Sequence, residues 1–280
     1  MLPSSLPLRQ SDTARPITPV LADSHVHLDA PAFDADRTQV LQRARDAGVR
    51  QLVIPAVDAA SWPRIRSLCA AHPGLLFPAY GLHPVYLRQH APGDVAALSA
   101  WCETNHAVAI GEIGLDFFAA GLDQALQRNY FERQLALARE IGLPVIVHAR
   151  QALEEVILVL RRHPGVRGVV HSFSGSEEQA RRLWQLGFLL GIGGPVTYER
   201  AQRLRRIVAS MPIEFLLLES DAPDQPDANH RGQRNEPACV AEVLRCVAAL
   251  RGEAERDLAA VTAANTRRLF RLPEPAPEPA

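Results

Sequence analysis

The chain has 280 residues, 47% of them hydrophobic, and a formal net charge of -1. That length builds a full core and suits one α/β barrel domain, while a charge near zero argues against tight, sequence-independent binding along duplex nucleic acid. All 30 basic residues are arginine, so Schiff-base chemistry on a lysine and a carbamylated lysine bridging two metals are both excluded.

Residues 1–16 are polar and proline-containing and are expected to form a disordered N-terminal extension. No apolar run reaches the ~18–20 residues of a bilayer span, and no signal-peptide core opens the chain, so a cytoplasmic, membrane-free protein is expected; the sequence does not fix the oligomeric state, and a monomer is favoured. The run Val20-Leu21-Ala22 ends a first strand and opens into Asp23-Ser24-His25-Val26-His27. On a strand, positions i and i+2 share a face, so His25 and His27 project together as a ligand pair for a divalent metal. A helix over 34–47 follows, closed by Gly48. The second strand is expected over 51–56, and a second helix over 61–71 with Ser61 as its cap. Residues 75–80 form a third strand, ending in Gly81-Leu82-His83-Pro84, and Asp94 is expected to cap a third helix.

The fourth strand, 107–110, runs into Gly111-Glu112-Ile113-Gly114-Leu115-Asp116. A long amphipathic helix over 122–141 precedes strand 144–147 and the segment His148-Ala149-Arg150. A helix over 152–163 leads to strand 168–170 and His171-Ser172-Phe173-Ser174-Gly175-Ser176. Helix 177–186, strand 188–192 and helix 199–209 follow, and then strand 215–218 opens into Glu219-Ser220-Asp221-Ala222-Pro223. Two helices near 237–250 and 254–270 complete a domain over 17–272, and 273–280 is expected to be a proline-rich disordered tail. Cys69, Cys102, Cys239 and Cys246 lack CxxC spacing and are expected to be free thiols.

Eight apolar strands alternating with helices fit a single (β/α)₈ TIM barrel, whose functional groups gather at the C-terminal rim of its strands. His25, His27, Glu112, His148, His171 and Asp221 all fall there. Four imidazoles and two carboxylates suit zinc, manganese or iron, or magnesium where the chemistry is on phosphate. Without lysine, any bridge between two ions must be a carboxylate, and Glu112 is the natural candidate.

These strand-end motifs, in this order, resemble the TatD family of metal-dependent hydrolases, over residues 20 to 271. Gly81-Leu82-His83-Pro84 and Arg234-Asn235-Glu236-Pro237 add to the resemblance. Ser220 and Ala149 depart from it, standing where family members often carry threonine and serine or cysteine. The resemblance implies a two-metal site with His25, His27 and Asp221 on one ion, His148 and His171 on the other, and Glu112 bridging. Asp221 would be the general base, and the activity a 3′→5′ exodeoxyribonuclease or phosphodiesterase acting on single-stranded DNA ends. The alternative is an amide, lactone or ester hydrolase built on the same metal pair. Candidate substrate contacts are His83, Arg150 and the Ser174-Gly175-Ser176 turn, with Arg231 and Arg234 completing a short basic groove. His72, His90, His106, His163 and His230 read as surface or helix-end residues.

Overall fold

The computed structural model describes residues 19–275. Eight parallel strands lie in sequential order: β1 (Leu21–Asp23), β2 (Val49–Pro55), β3 (Leu76–Tyr80), β4 (Ala109–Asp116), β5 (Val145–Arg150), β6 (Gly168–Val170), β7 (Phe188–Ile192) and β8 (Leu216–Leu218). Helices α1 (Arg37–Asp46), α2 (Trp62–Ala71), α3 (Asp94–Thr104), α4 (Gln124–Ile141), α5 (Leu153–Arg161), α6 (Glu177–Gln185), α7 (Gln202–Ser210) and α8 (Val240–Arg251) follow the strands, and α9 (Glu255–Phe270) ends the domain. This is a (β/α)₈ barrel.

Alternation along the strands splits the core in two, because successive side chains face opposite sides of the sheet. Val53, Phe77, Ala79, Ala109, Ile146, Val169, Leu189 and Leu217 fill the barrel interior, joined by Leu269, Phe270 and Leu272 from the end of the chain. Their neighbours Leu52, Ile54, Ile110, Val145, Val147, Leu190 and Leu218 face the helices in the outer core. Asn265 of α9 fastens that end of the barrel by donating to the carbonyls of Ile213 and Leu216 (2.7 and 3.0 Å). The chain beyond Leu272 still makes contacts: the Pro273 carbonyl accepts the buried Gln51 amide at 2.8 Å. Residues 1–16 and 276–280 lie outside the described residues.

The seam between β1 and β8 closes just beyond the regular strands. Ser24 N–H donates to the Leu218 carbonyl (3.0 Å), Asp221 N–H to that of His25 (2.9 Å) and His27 N–H to that of Ala222 (2.8 Å). The fully buried Asp23 carboxylate reinforces the seam, taking the Ser220 hydroxyl at 2.6 Å and the Ser220 amide at 3.0 Å. The two segments carrying His25, His27 and Asp221 are therefore stitched to each other.

Several boundaries differ from the sequence expectations. β4 does not stop at Ile110; it runs through Asp116 with every residue buried. Gly114 makes this passage: at φ +136° a Cβ would lie 2.1 Å from the His148 carbonyl, so only glycine lets β4 lie against β5 there. β5 likewise continues to Arg150, so Glu112 and His148 sit within strands rather than after them. Ser61 does not cap α2; its hydroxyl donates to the Asp58 carbonyl. Asp94 is the first residue of α3, its carboxylate accepting the Ala91 amide.

Candidate metal centre

The six ligand candidates converge at the strand ends, and Glu112 stands at their centre, 1% exposed. Its two carboxylate oxygens face different partners. Oε2 lies 3.2 Å from His25 Nε2 and 3.4 Å from His27 Nε2. Asp221 Oδ1 completes that half, 3.5 and 3.8 Å from the same two nitrogens. Oε1 faces the other half, 2.7 Å from His171 Nε2 and 3.0 Å from His148 Nδ1.

Nitrogens face nitrogens here: His25 and His27 Nε2 are 3.2 Å apart, as are His148 Nδ1 and His171 Nε2. Neutral lone pairs at that distance repel unless a proton or a cation lies between. Burial opposes protonation of His27, yet Glu112 and Asp221 outweigh it and lift the ring to about 9. His171 is lifted to about 10 against the same burial, chiefly by Glu112. Burial and the neighbouring His171 hold His25 well below its ordinary value. Burial would raise the Glu112 carboxyl, but the surrounding imidazoles hold it well below the usual range. Protons thus stand in for cations among donors that converge in two groups, and Glu112 Oε2 and His25 Nδ1 are buried without a hydrogen-bond partner. The donor set fits divalent ions.

Three acidic residues that sequence reasoning left without a role support this cluster. Asp116 Oδ2 lies 2.9 Å from His148 Nε2. A carboxylate only accepts, so Nε2 carries a hydrogen toward Asp116. Burial opposes a second proton, but the hydrogen bonds to Asp116 and Glu112 raise the ring above its ordinary value, and an ion at the centre would take the Nδ1 lone pair in that proton's place. Glu219 accepts the Ser172 amide at 2.5 Å and lies 3.8 Å from His171 Nδ1. It fits because position 191 is glycine, where a Cβ would stand 2.0 Å from Glu219 Oε2. Burial pushes Glu219 up to about 8, with His171 opposing and Asp221 adding to the rise. Asp23 is the third, pushed by burial to about 7 despite the Ser220 hydrogen bonds. The Glu219-x-Asp221 spacing, two strand-end carboxylates on one face, is the signal that could have marked Glu219.

The proposed substrate contacts separate. His83 joins the cluster: Nδ1 accepts the Val85 amide at 3.0 Å, so Nε2 carries the hydrogen and meets Glu112 Oε1 at 3.1 Å. Burial, against the pull of Glu112, drops its ring to about 4. Arg150 lines the open cleft above the cluster, about 890 Å³ in volume, with its guanidinium 3.9 Å from the centre of the Phe118 ring. Ser174 lines the cleft too, but the helix start behind it is engaged. Ser176 and Gln179 cap α6 reciprocally, and Glu177 and Glu178 in its first turn oppose an anion. Arg234 leaves the expected basic groove, because Asp36 grips it at 2.7 and 2.8 Å and Glu236 at 2.9 Å. Neither Arg231 nor Arg234 is among the residues lining the cleft.

With this geometry in place, comparison with known proteins decides the family. The model for TatD related DNase matches residues 22–271. The chain belongs to the TatD family of metal-dependent hydrolases. It is 40% identical to the uncharacterized metal-dependent hydrolase YjjV of Escherichia coli K12, over 90% of this chain and 98% of that one. The crystal structure of YjjV, a TatD homologue, superposes with a TM-score of 0.86 at 39% identity, covering 90% and 98% of the two chains. A protein named 3′-5′ ssDNA/RNA exonuclease TatD from Erwinia tasmaniensis is 37% identical, over 89% of this chain and 99% of its own. The Escherichia coli phosphotriesterase homology protein shares the fold at 13% identity and a TM-score of 0.64.

Proposed function

We propose that this TatD-family chain is a two-metal phosphodiesterase that removes nucleotides from the 3′ ends of single-stranded nucleic acid. The observation that carries the reading is the division of Glu112: one oxygen faces His25 and His27, whose nitrogens Asp221 also approaches, and the other faces His148 and His171. His25, His27 and Asp221 would hold one ion, His148 and His171 the second, with Glu112 shared. When bound, such a pair acidifies water at neutral pH and neutralises charge on a phosphoryl oxygen.

The chain's own groups supply the rest. Gln225 Nε2 holds Asp221 Oδ2, which fixes the carboxylate to take the proton of the attacking water. His83, neutral near pH 7 with Nε2 protonated, is a hydrogen-bond donor on the cleft floor. Arg150 offers its guanidinium to a non-bridging phosphate oxygen at the mouth. One arginine along the cleft matches a chain end, not a long duplex track. Similarity to the Erwinia protein named a 3′-5′ ssDNA/RNA exonuclease supports the same substrate.

That single arginine also suits the second reading, a two-metal hydrolase of a small amide, lactone or ester. The test is incubation of manganese-, zinc- and magnesium-loaded protein with a 5′-labelled single-stranded oligonucleotide, a phosphodiester reporter and an amide and lactone panel. Stepwise shortening from the 3′ end, abolished by chelator, is the expected result. Intact oligonucleotide and reporter alongside turnover of an amide or lactone would replace the first reading with the second.

A further inference from the structure

A second group of metal-type donors lies on the segment that leads from β8 to α8, and none of its residues lines the rim cleft. Asp227 and His230 sit on one 3-10 turn, and Cys239 lies just before α8. Asp227 is buried, 1% exposed; its Oδ1 accepts the Asn229 amide at 2.8 Å, which leaves Oδ2 aimed at His230 Nδ1, also 2.8 Å away. Cys239 Sγ approaches the same nitrogen at 3.8 Å. The three donor atoms lie within 4.8 Å of one another.

The shared nitrogen separates two explanations. A thiol–imidazole–carboxylate relay needs sulfur on one ring nitrogen and the carboxylate on the other. Here both meet Nδ1, so oxygen, nitrogen and sulfur face one point rather than forming a line. Donors ~2.1 Å (nitrogen) and ~2.3 Å (sulfur) from one ion at the tetrahedral angle stand ~3.6 Å apart, close to the Nδ1–Sγ separation. Burial pushes the Cys239 thiol up to about 11, and the Asp227 carboxylate adds to the rise. Burial would raise Asp227 as well, but His230 outweighs it and holds the carboxyl below its ordinary value. Without a cation, therefore, the proton stays on sulfur, and Nδ1–H donates to Oδ2 across the 2.8 Å contact. Beside the group opens a cavity of about 600 Å³ that His230 and Cys239 line, with room for a water as fourth ligand. The arginines there are all paired, Arg43 and Arg234 with Glu236 and Arg245 with Glu242.

We propose that Asp227, His230 and Cys239 form a separate site for a borderline-soft divalent cation of the zinc type. On binding, Sγ gives its proton to solvent, the imidazole hydrogen passes through solvent from Nδ1 to Nε2 so that Nδ1 and Asp227 Oδ2 both turn to the ion, and water takes the fourth position. The ion ties the 228–230 turn to the start of α8, within the segment that also carries Asp221 and Gln225 to the rim.

Cobalt(II) separates this site from the rim, because the rim cluster contains no sulfur. Chelator-treated full-length protein is titrated with cobalt(II) and followed in the visible and near-ultraviolet. A thiolate-to-cobalt charge-transfer band should level off at the amplitude of one thiolate-bound cobalt per chain and be erased by zinc but not by magnesium. In Cys239→Ser that band should vanish, while the visible bands of cobalt at the rim and the hydrolase activity persist, which also certifies the fold. His230→Ala should weaken cobalt binding in this band at least ~10-fold. Visible bands without a charge-transfer band in the parent protein, or the same band surviving in Cys239→Ser, would overturn the proposal.

Discussion

Asp116→Asn isolates how the barrel orients a ligand without touching the ligand set. Asp116 Oδ2 takes the hydrogen of His148 Nε2 at 2.9 Å, while Oδ1 takes the amides of Phe118 and Ala119 at 2.9 and 2.8 Å. Asparagine preserves the shape but offers one oxygen for these two jobs. With its oxygen toward the amides, its NH₂ faces Nε2, the ring hydrogen moves to Nδ1, and the lone pair that an ion would take is lost. With the amide flipped, the NH₂ confronts two backbone N–H groups. The backbone itself stays anchored, because Gln127 pairs with both the Asp116 amide and carbonyl at 2.8 and 2.9 Å. Loss of such an orienting partner typically costs 10–100-fold in metal affinity or activity, about 1.4–2.7 kcal/mol. The assay is calorimetric titration of chelator-treated protein with zinc, with kcat and thermal midpoint measured in parallel. Weakening of the site that His148 serves by about that factor is expected, with a midpoint within a few degrees of the parent. Metal affinity and kcat both within about twofold of the parent would refute the tautomer argument.

Asp221→Asn retains one coordinating oxygen but cannot take a proton, so kcat should fall ~10²–10⁴-fold with little change in KM; activity within about threefold, metals bound, would remove the base role. Asp23→Ala leaves the Ser220 and His25 amides and the Ser220 hydroxyl without their buried acceptor. At ~1–3 kcal/mol per stranded group, partly relieved by water, the thermal midpoint should drop by about 5–15 °C, and an unchanged midpoint would dismiss the seam as a stabilising element. The Arg234 hydrogen bond holds the Asp36 carboxyl at about 2, below its ordinary 3.8. A depressed carboxyl stabilises the fold above its unfolded value and loses that contribution as pH falls through the folded one. The midpoint difference between the parent and Arg234→Ala should therefore be flat above about pH 5 and shrink toward pH 2; a difference that does not change with pH would show that Arg234 acts by packing alone.

Most of the barrel, and the gathering of the six candidate side chains at its rim, were legible because both rest on short-range pattern. Buried parallel strands read as apolar runs, and the first, fourth, fifth, sixth and eighth runs lead into the His, Glu and Asp residues that the closed barrel brings to one rim. Legibility stopped where long-range packing decides. The strand through Glu112 extends because Gly114 fits beneath the His148 carbonyl, a contact between β4 and β5 that composition does not announce. Asp116 and Glu219 acquire their roles only from a histidine on another strand. Arg234 was misplaced for the same reason: its partner Asp36 is 198 residues away in sequence. His230 looked like a surface residue and is partly exposed, yet its ring nitrogen meets Asp227 and Cys239.

The division of Glu112 between two donor groups is tested most directly by an anomalous difference map from manganese- or zinc-loaded crystals. Two peaks are predicted, one among His25, His27, Asp221 and Glu112 Oε2, the other among His148, His171 and Glu112 Oε1. A single rim peak at full occupancy, or two peaks with Glu112 turned away from either, would contradict the account.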